Sequence, residues 1–95
     1  MFDKIKDFAK LAAQMRDIKK RLDETLLELE TADHGIKITI TGSQEIKKIS
    51  FASDPAALDR TRLEADLVQL VNKAIRDSQA TAASQMGSMQ GLLNG

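Results

Sequence analysis

Residues 35–51 alternate apolar and polar side chains in the pattern of a half-buried β-hairpin. Ile36, Ile38 and Ile40 fall on one face while Lys37, Thr39 and Thr41 fall on the other, which is the period-2 signature of a strand. Gly42-Ser43-Gln44 supplies turn residues, and a second run then carries Ile46, Ile49 and Phe51. Ile46 is out of phase with Ile49 and Phe51, so either a bulge sits near Lys47 or one apolar residue faces outward. A two-stranded ribbon is marginal in water and needs a third strand or a helix across its apolar face. The helical segments on either side are the expected cover.

Before the hairpin, Phe8, Leu11, Met15, Ile18 and Leu22 recur at steps of three and four, with Leu26 and Leu29 continuing and Thr25 interrupting. This is a heptad seam, and it predicts one helix over about residues 3–29, roughly 40 Å long. Asp33-His34-Gly35 then breaks the helix. Leu29–Ala32 is an alternative short edge strand beside the hairpin. After it, Asp54 caps a turn opened by Pro55, and Thr61-Arg62-Leu63-Glu64 has capping-box spacing. Leu63, Leu67, Leu70, Val71, Ala74, Ile75 and Ser78 give the next helix one face for the sheet. From Met86 the chain carries three Gly and no charge, which predicts a flexible tail unless a partner orders it. The expected organisation is a single domain: a helical arm at 1–29, sheet and turn at 30–58, a helix at 59–85 and a tail at 86–95.

Ninety-five residues bury roughly 60 to 65 % of the unfolded chain's surface, too little to cover so long a seam within one copy, so a dimer is expected. The absence of Cys suits a cytoplasmic protein, no apolar run approaches a membrane span, and the first residues lack the order of a signal peptide. His34 is the only histidine, so neither a His/Cys metal cluster nor a Ser-His or Cys-His pair assembles within one chain. Asp33 beside His34 reads as loop punctuation. Neither Gly35 nor Gly42 belongs to a phosphate-cradling glycine motif. These features argue against an enzyme and imply no cofactor, metal or small-molecule substrate.

Net charge is zero, but its distribution is uneven. Residues 1–21 hold seven basic and three acidic side chains, whereas 22–33 hold five acidic and no basic ones. Clustering of this kind matters more to a polyanionic partner than total charge does. Lys4, Lys6, Lys10, Arg16, Lys19, Lys20 and Arg21 stud the first helix, and Lys19, Lys20 and Arg21 form the densest patch and the best phosphate-binding candidate. The bland reading of the same residues is the solvated side of an amphipathic helix. The sparse aromatics, Phe2, Phe8 and Phe51, speak against recognition by base stacking. A different function class, an adaptor that engages a protein through the seam and the Met/Leu tail, draws on the zero net charge and the uncharged stretch 78–95.

A Met- and Lys-bearing first helix is followed by Gly35-Ile36-Lys37-Ile38-Thr39-Ile40-Thr41-Gly42 and Glu45-Ile46-Lys47-Lys48-Ile49. Asp54-Pro55, Leu63-Glu64, Val71-Asn72-Lys73-Ala74 and the ending Met86-Gly87-Ser88-Met89-Gln90-Gly91 complete the order. No one motif is specific, but the combination, over nearly the whole chain, resembles the YbaB/EbfC family of bacterial nucleoid-associated proteins. The resemblance implies an α+β homodimer whose first helices project around double-stranded DNA. It also implies a nucleoid location, with effects on DNA conformation and gene expression. The helix-1 role in that family would place Arg16, Lys19, Lys20 and Arg21 on the DNA side.

Overall fold

The computed structural model describes the backbone of residues 2–94 and the side chains of residues 6–87. Helix α1 (Phe2–Glu24) leads into strands β1 (Leu26–Glu30), β2 (Ile36–Thr41) and β3 (Ile46–Phe51), then a 3-10 turn (Pro55–Ala57) and helix α2 (Arg60–Asn94). The three strands form one antiparallel sheet in the order β1-β2-β3. The fold is therefore α+β, as the hairpin and its flanking helices predict.

Lys47 is the bulged residue. Thr39 pairs with Lys48 and Ile40 with Ile46, so the register slips by one across Lys47. That slip returns Ile46 to the face shared by Ile49 and Phe51, because each residue of offset turns a strand's side chains over. Cross-strand rows Leu27–Ile40–Ile46 and Leu29–Ile38–Ile49 result, with Ile36 opposite Phe51. Leu29, Ile36, Ile38 and Ile40 are buried with Leu70 and Ala74 of α2, and Leu63, Leu67, Val71 and Ile75 pack around them. The predicted face of α2 thus covers the predicted face of β2 together with β1, while Ile46 and Ile49 of β3 stay exposed.

Helix 1 is shorter than the heptad seam predicts. It ends at Glu24, and after Thr25 the five residues Leu26–Glu30 are strand. The seam and a strand compete for the same leucines: Leu26 and Leu29 continue the heptad, but Leu27-Glu28-Leu29-Glu30 also alternates. The strand prevails because β2 offers an open edge. Pairing with Ile38 and Ile40 satisfies backbone groups and buries Leu29, gains that a solvent-exposed helix extension would lack. The alternative edge strand at Leu29–Ala32 lies three residues too late at its start and two at its end.

Two further details differ locally. The cap of α2 is Asp59, whose carboxylate accepts the Thr61 N–H at 3.0 Å, while Glu64 pairs with Arg60 at 3.1 Å rather than closing a box with Thr61. Asp54 does cap the Pro55 turn, accepting from Ala56 N at 3.0 Å. Helix α2 continues to Asn94, past Met86, where the sequence predicts a tail. Ala, Gln and Met between Ser78 and Gln90 are adequate helix formers.

The molecule measures 66 × 19 × 16 Å with a radius of gyration of 18.5 Å. A compact chain of this length would have about 12 Å. Both helices extend well beyond a small sheet, and this elongation positions the site.

Candidate nucleic-acid interface

Twenty-three residues of α1 make a rod about 34 Å long that is rooted at its C-terminal end. Leu22 is its only buried residue among the described side chains, with Leu11 and Ile18 half-buried. The other described side chains of the helix meet solvent, including Phe8 at 74 % exposure and Met15 at 50 %. A surface helix normally hides its apolar stripe, and here that stripe is only partly covered.

Lys6, Lys10, Arg16, Lys19, Lys20 and Arg21 are all exposed. The side chain of Lys4 lies outside the described residues. At 100° per residue the six cations fan over roughly 200° of the circumference, flanking the apolar stripe instead of forming one row. Among the described residues, none of the six forms an ion pair; every pair found joins residues of the sheet, its turns and α2. Four of the five acidic residues in 22–33, all but Glu24, are engaged elsewhere. Lys37 approaches Glu28 at 3.8 Å and Glu30 at 4.0 Å, Arg62 reaches Asp33 at 3.5 Å, and the Asp23 carboxylate accepts a hydrogen bond from the Ser43 hydroxyl. Cationic side chains held in water and left without carboxylates are what a phosphate backbone requires.

Sequence reasoning left other basic positions aside. Lys48, Lys73 and Arg76 are exposed and outside the ion pairs, while Lys47 is held by Glu45 at 3.1 Å. Lys73 and Arg76 sit in a stretch whose net charge is close to zero, so regional charge did not reveal them; only the three-residue spacing on a helix could have.

A cleft of about 320 Å³ lies between the β1–β2 turn and α2, lined by Glu30, Asp33, Arg62, Asp66 and Lys73 among others. Its charges are of both signs, and Arg62 bridges Asp33 and Asp66. The Thr31 hydroxyl and the Gly35 N–H, with Arg62 adding to them, hold the Asp33 carboxyl below its usual 3.8. His34 turns away to Glu30, with Nδ1 at 2.8 Å. Asp33 and His34 therefore serve the turn separately and do not form an acid–base pair. Among the described residues no group of three or more His, Cys, Asp or Glu could hold a metal ion, and no helix is long and apolar enough to cross a membrane.

Residues 1–93 match the model of the YbaB/EbfC DNA-binding family. A nucleoid-associated protein of Flavobacterium johnsoniae is 36 % identical over 89 residues, covering 85 % of this chain and 83 % of the relative. Proteins of the same description from Chlorobium phaeovibrioides and Dictyoglomus turgidum are each 29 % identical, covering 94 % and 93 % of this chain and 81 % and 86 % of their own lengths.

Proposed function

The chain belongs to the YbaB/EbfC DNA-binding family, and from that premise we propose that it is a non-enzymatic, nucleoid-associated protein that grips duplex DNA as a homodimer. The exposed and unpaired cations of α1 carry this reading. Two arms, one per copy, bring Lys6, Lys10, Arg16, Lys19, Lys20 and Arg21 against phosphates from opposite sides, with Lys4 preceding them in the sequence. Phosphate contacts position a protein on DNA without reading its sequence, so binding has little base preference. Occupying the backbone from two sides changes the local path of the duplex and the access of transcription to it.

The homodimer draws support from apolar surface that one copy leaves uncovered. Helix α2 packs on β1 and β2, so β3 keeps Ile46 and Ile49 about 40 % exposed, and Val68 of α2 is 60 % exposed. Arg62, Asp66, Gln69 and Lys73 line the cleft on the β1 side. Helical spacing then places Val68, Val71 and Ile75 on the opposite flank, away from β1. A second copy of the same strip covers both under two-fold symmetry. Light scattering at micromolar concentration is expected to give twice the chain mass of 10.4 kDa; a monomer mass refutes the dimer.

The DNA reading is tested by titrating duplex affinity across salt. With three to four contacts per arm, about six to eight phosphates are neutralised, and the log–log slope is expected near −5 to −7. A flat response would overturn the proposal, and capture of a stoichiometric protein partner through the tail would favour the adaptor.

A further inference from the structure

The root of α1 is bonded into the β2–β3 turn on one side, and that turn is bonded into α2 on the other. Gly42 N donates to Leu22 O at 2.9 Å and to Thr25 O at 3.0 Å, occupying carbonyls that a helix end leaves open. The neighbouring Ser43 hydroxyl donates to the Asp23 carboxylate. Thr25 closes the helix end from its own side, with Oγ1 on Arg21 O at 2.6 Å. Behind the turn, Thr41 Oγ1 accepts from Ser43 N at 3.3 Å and Glu45 N at 3.1 Å. Thr41 O accepts from Ser78 Oγ at 2.8 Å, and both Thr41 and Ser78 are fully buried.

The approach is close. A Cβ on Gly42 would lie 2.9 Å from Leu22 Cδ2, 3.1 Å from Leu22 O and 3.3 Å from Leu22 Cα. The left-handed residues of the two turns are His34 and Gln44, not the glycines. Gly42 is therefore needed for proximity to the helix rather than for its backbone freedom.

We infer that Asp23, Gly42 and Ser43 are positioning residues for DNA binding: they form a joint that sets the direction in which the cationic arm leaves the sheet. The inference rests on the reading of α1 as the DNA-contacting element. A rod about 34 Å long amplifies any displacement at its root several-fold at its tip. With the joint intact, two arms meet the duplex already oriented. Without it, binding must select the competent orientation from a wider set, and affinity falls by the fraction of chains that hold it. If that fraction drops about tenfold per arm, the dimer loses between about 10- and 100-fold. The salt slope stays unchanged, because the same phosphates are neutralised in the final complex.

Asp23 separates this from simple electrostatics. It lies beside Lys19, Lys20 and Arg21, so removing its charge makes the arm more cationic and, by Coulomb attraction alone, tightens binding. The joint requires the opposite for Asp23→Ala, which removes the acceptor for Ser43. Asp23→Asn keeps an acceptor oxygen and removes only the charge, so it binds at least as tightly as the parent chain. Ser43→Ala weakens binding as Asp23→Ala does, Ser43→Thr restores it, and the double alanine variant is no worse than either single one.

The experiment pairs duplex-DNA titrations with an intrachain distance. The chain has no Cys, so Ala13→Cys on α1 and Ala52→Cys after β3 take spin labels, diluted with unlabelled chain. The parent chain is expected to give a narrow distance distribution, and Asp23→Ala and Ser43→Ala broad ones, with circular dichroism showing the fold retained. A narrow distribution for Asp23→Ala, or affinity equal to or above the parent's, overturns the inference. Should the parent chain bind no DNA, a broad Asp23→Ala distribution sustains the joint and defeats only the DNA reading, while a narrow one defeats the joint as well.

Discussion

Charge reversal of Lys20 and Arg21 to Glu is expected to lower duplex-DNA affinity by about three orders of magnitude or more near 0.1 M salt, since four contacts per dimer at about 0.9 in the salt exponent disappear together. The slope should become shallower by roughly 3 to 4 in the same titration. Both residues are exposed and make no ion pair among the described residues, so the described body does not depend on their charge. Light scattering should return the parent's mass. This pattern, lost affinity with a reduced slope and an intact assembly, is distinct from that of the joint variants, which keep the slope. Unchanged affinity would show that α1 is only the solvated side of an amphipathic helix, and the DNA surface would have to be sought at Lys48, Lys73 and Arg76.

Truncating Ile38 to Ala should cost about 2 to 5 kcal/mol, a large share of the roughly 5 to 15 kcal/mol that holds a domain together. Ile38 is fully buried in the central strand, between Leu29 and Ile49 in its row. It belongs to the cluster closed over by Leu70 and Ala74. Few alternative rotamers can refill a cavity at that position, because neighbours on both strands and on α2 are already packed. Urea denaturation at fixed protein concentration measures the loss, the concentration being held because dimer stability depends on it. Phe8→Ala on the exposed part of α1 is the internal comparison, expected within about 0.5 kcal/mol. A loss below 1 kcal/mol for Ile38→Ala would mean that the sheet–α2 layer is not the core.

The contrast between those two positions marks where the sequence was sufficient. Ile36, Ile38 and Ile40 could be assigned to a buried face because period-2 alternation is a local property of the chain. The stripe from Leu63 to Ser78, the Asp54–Pro55 turn and the phase break at Lys47 were legible for the same reason. The cations of α1 were also visible, as an excess of charge within a short window.

Wherever two local patterns shared the same residues, tertiary structure decided. Leu26–Glu30 satisfies both a heptad and a strand, and the choice fell to the open edge of β2, which no window of the sequence contains. Asp59 displaced Thr61 as the cap, since either can accept a helix N–H and only the path of the preceding chain selects one. Gly42 looked like a turn residue, yet its side of the turn is closed by Leu22, twenty positions away. Nothing in the local pattern specified the direction of the cationic arm, because direction is set by contacts between elements: a turn at residues 42–43, the end of α1 and a buried serine on α2. Composition and periodicity were enough to give the chain its parts and its charge, whereas the arrangement that could present that charge to DNA exists only once distant segments pack.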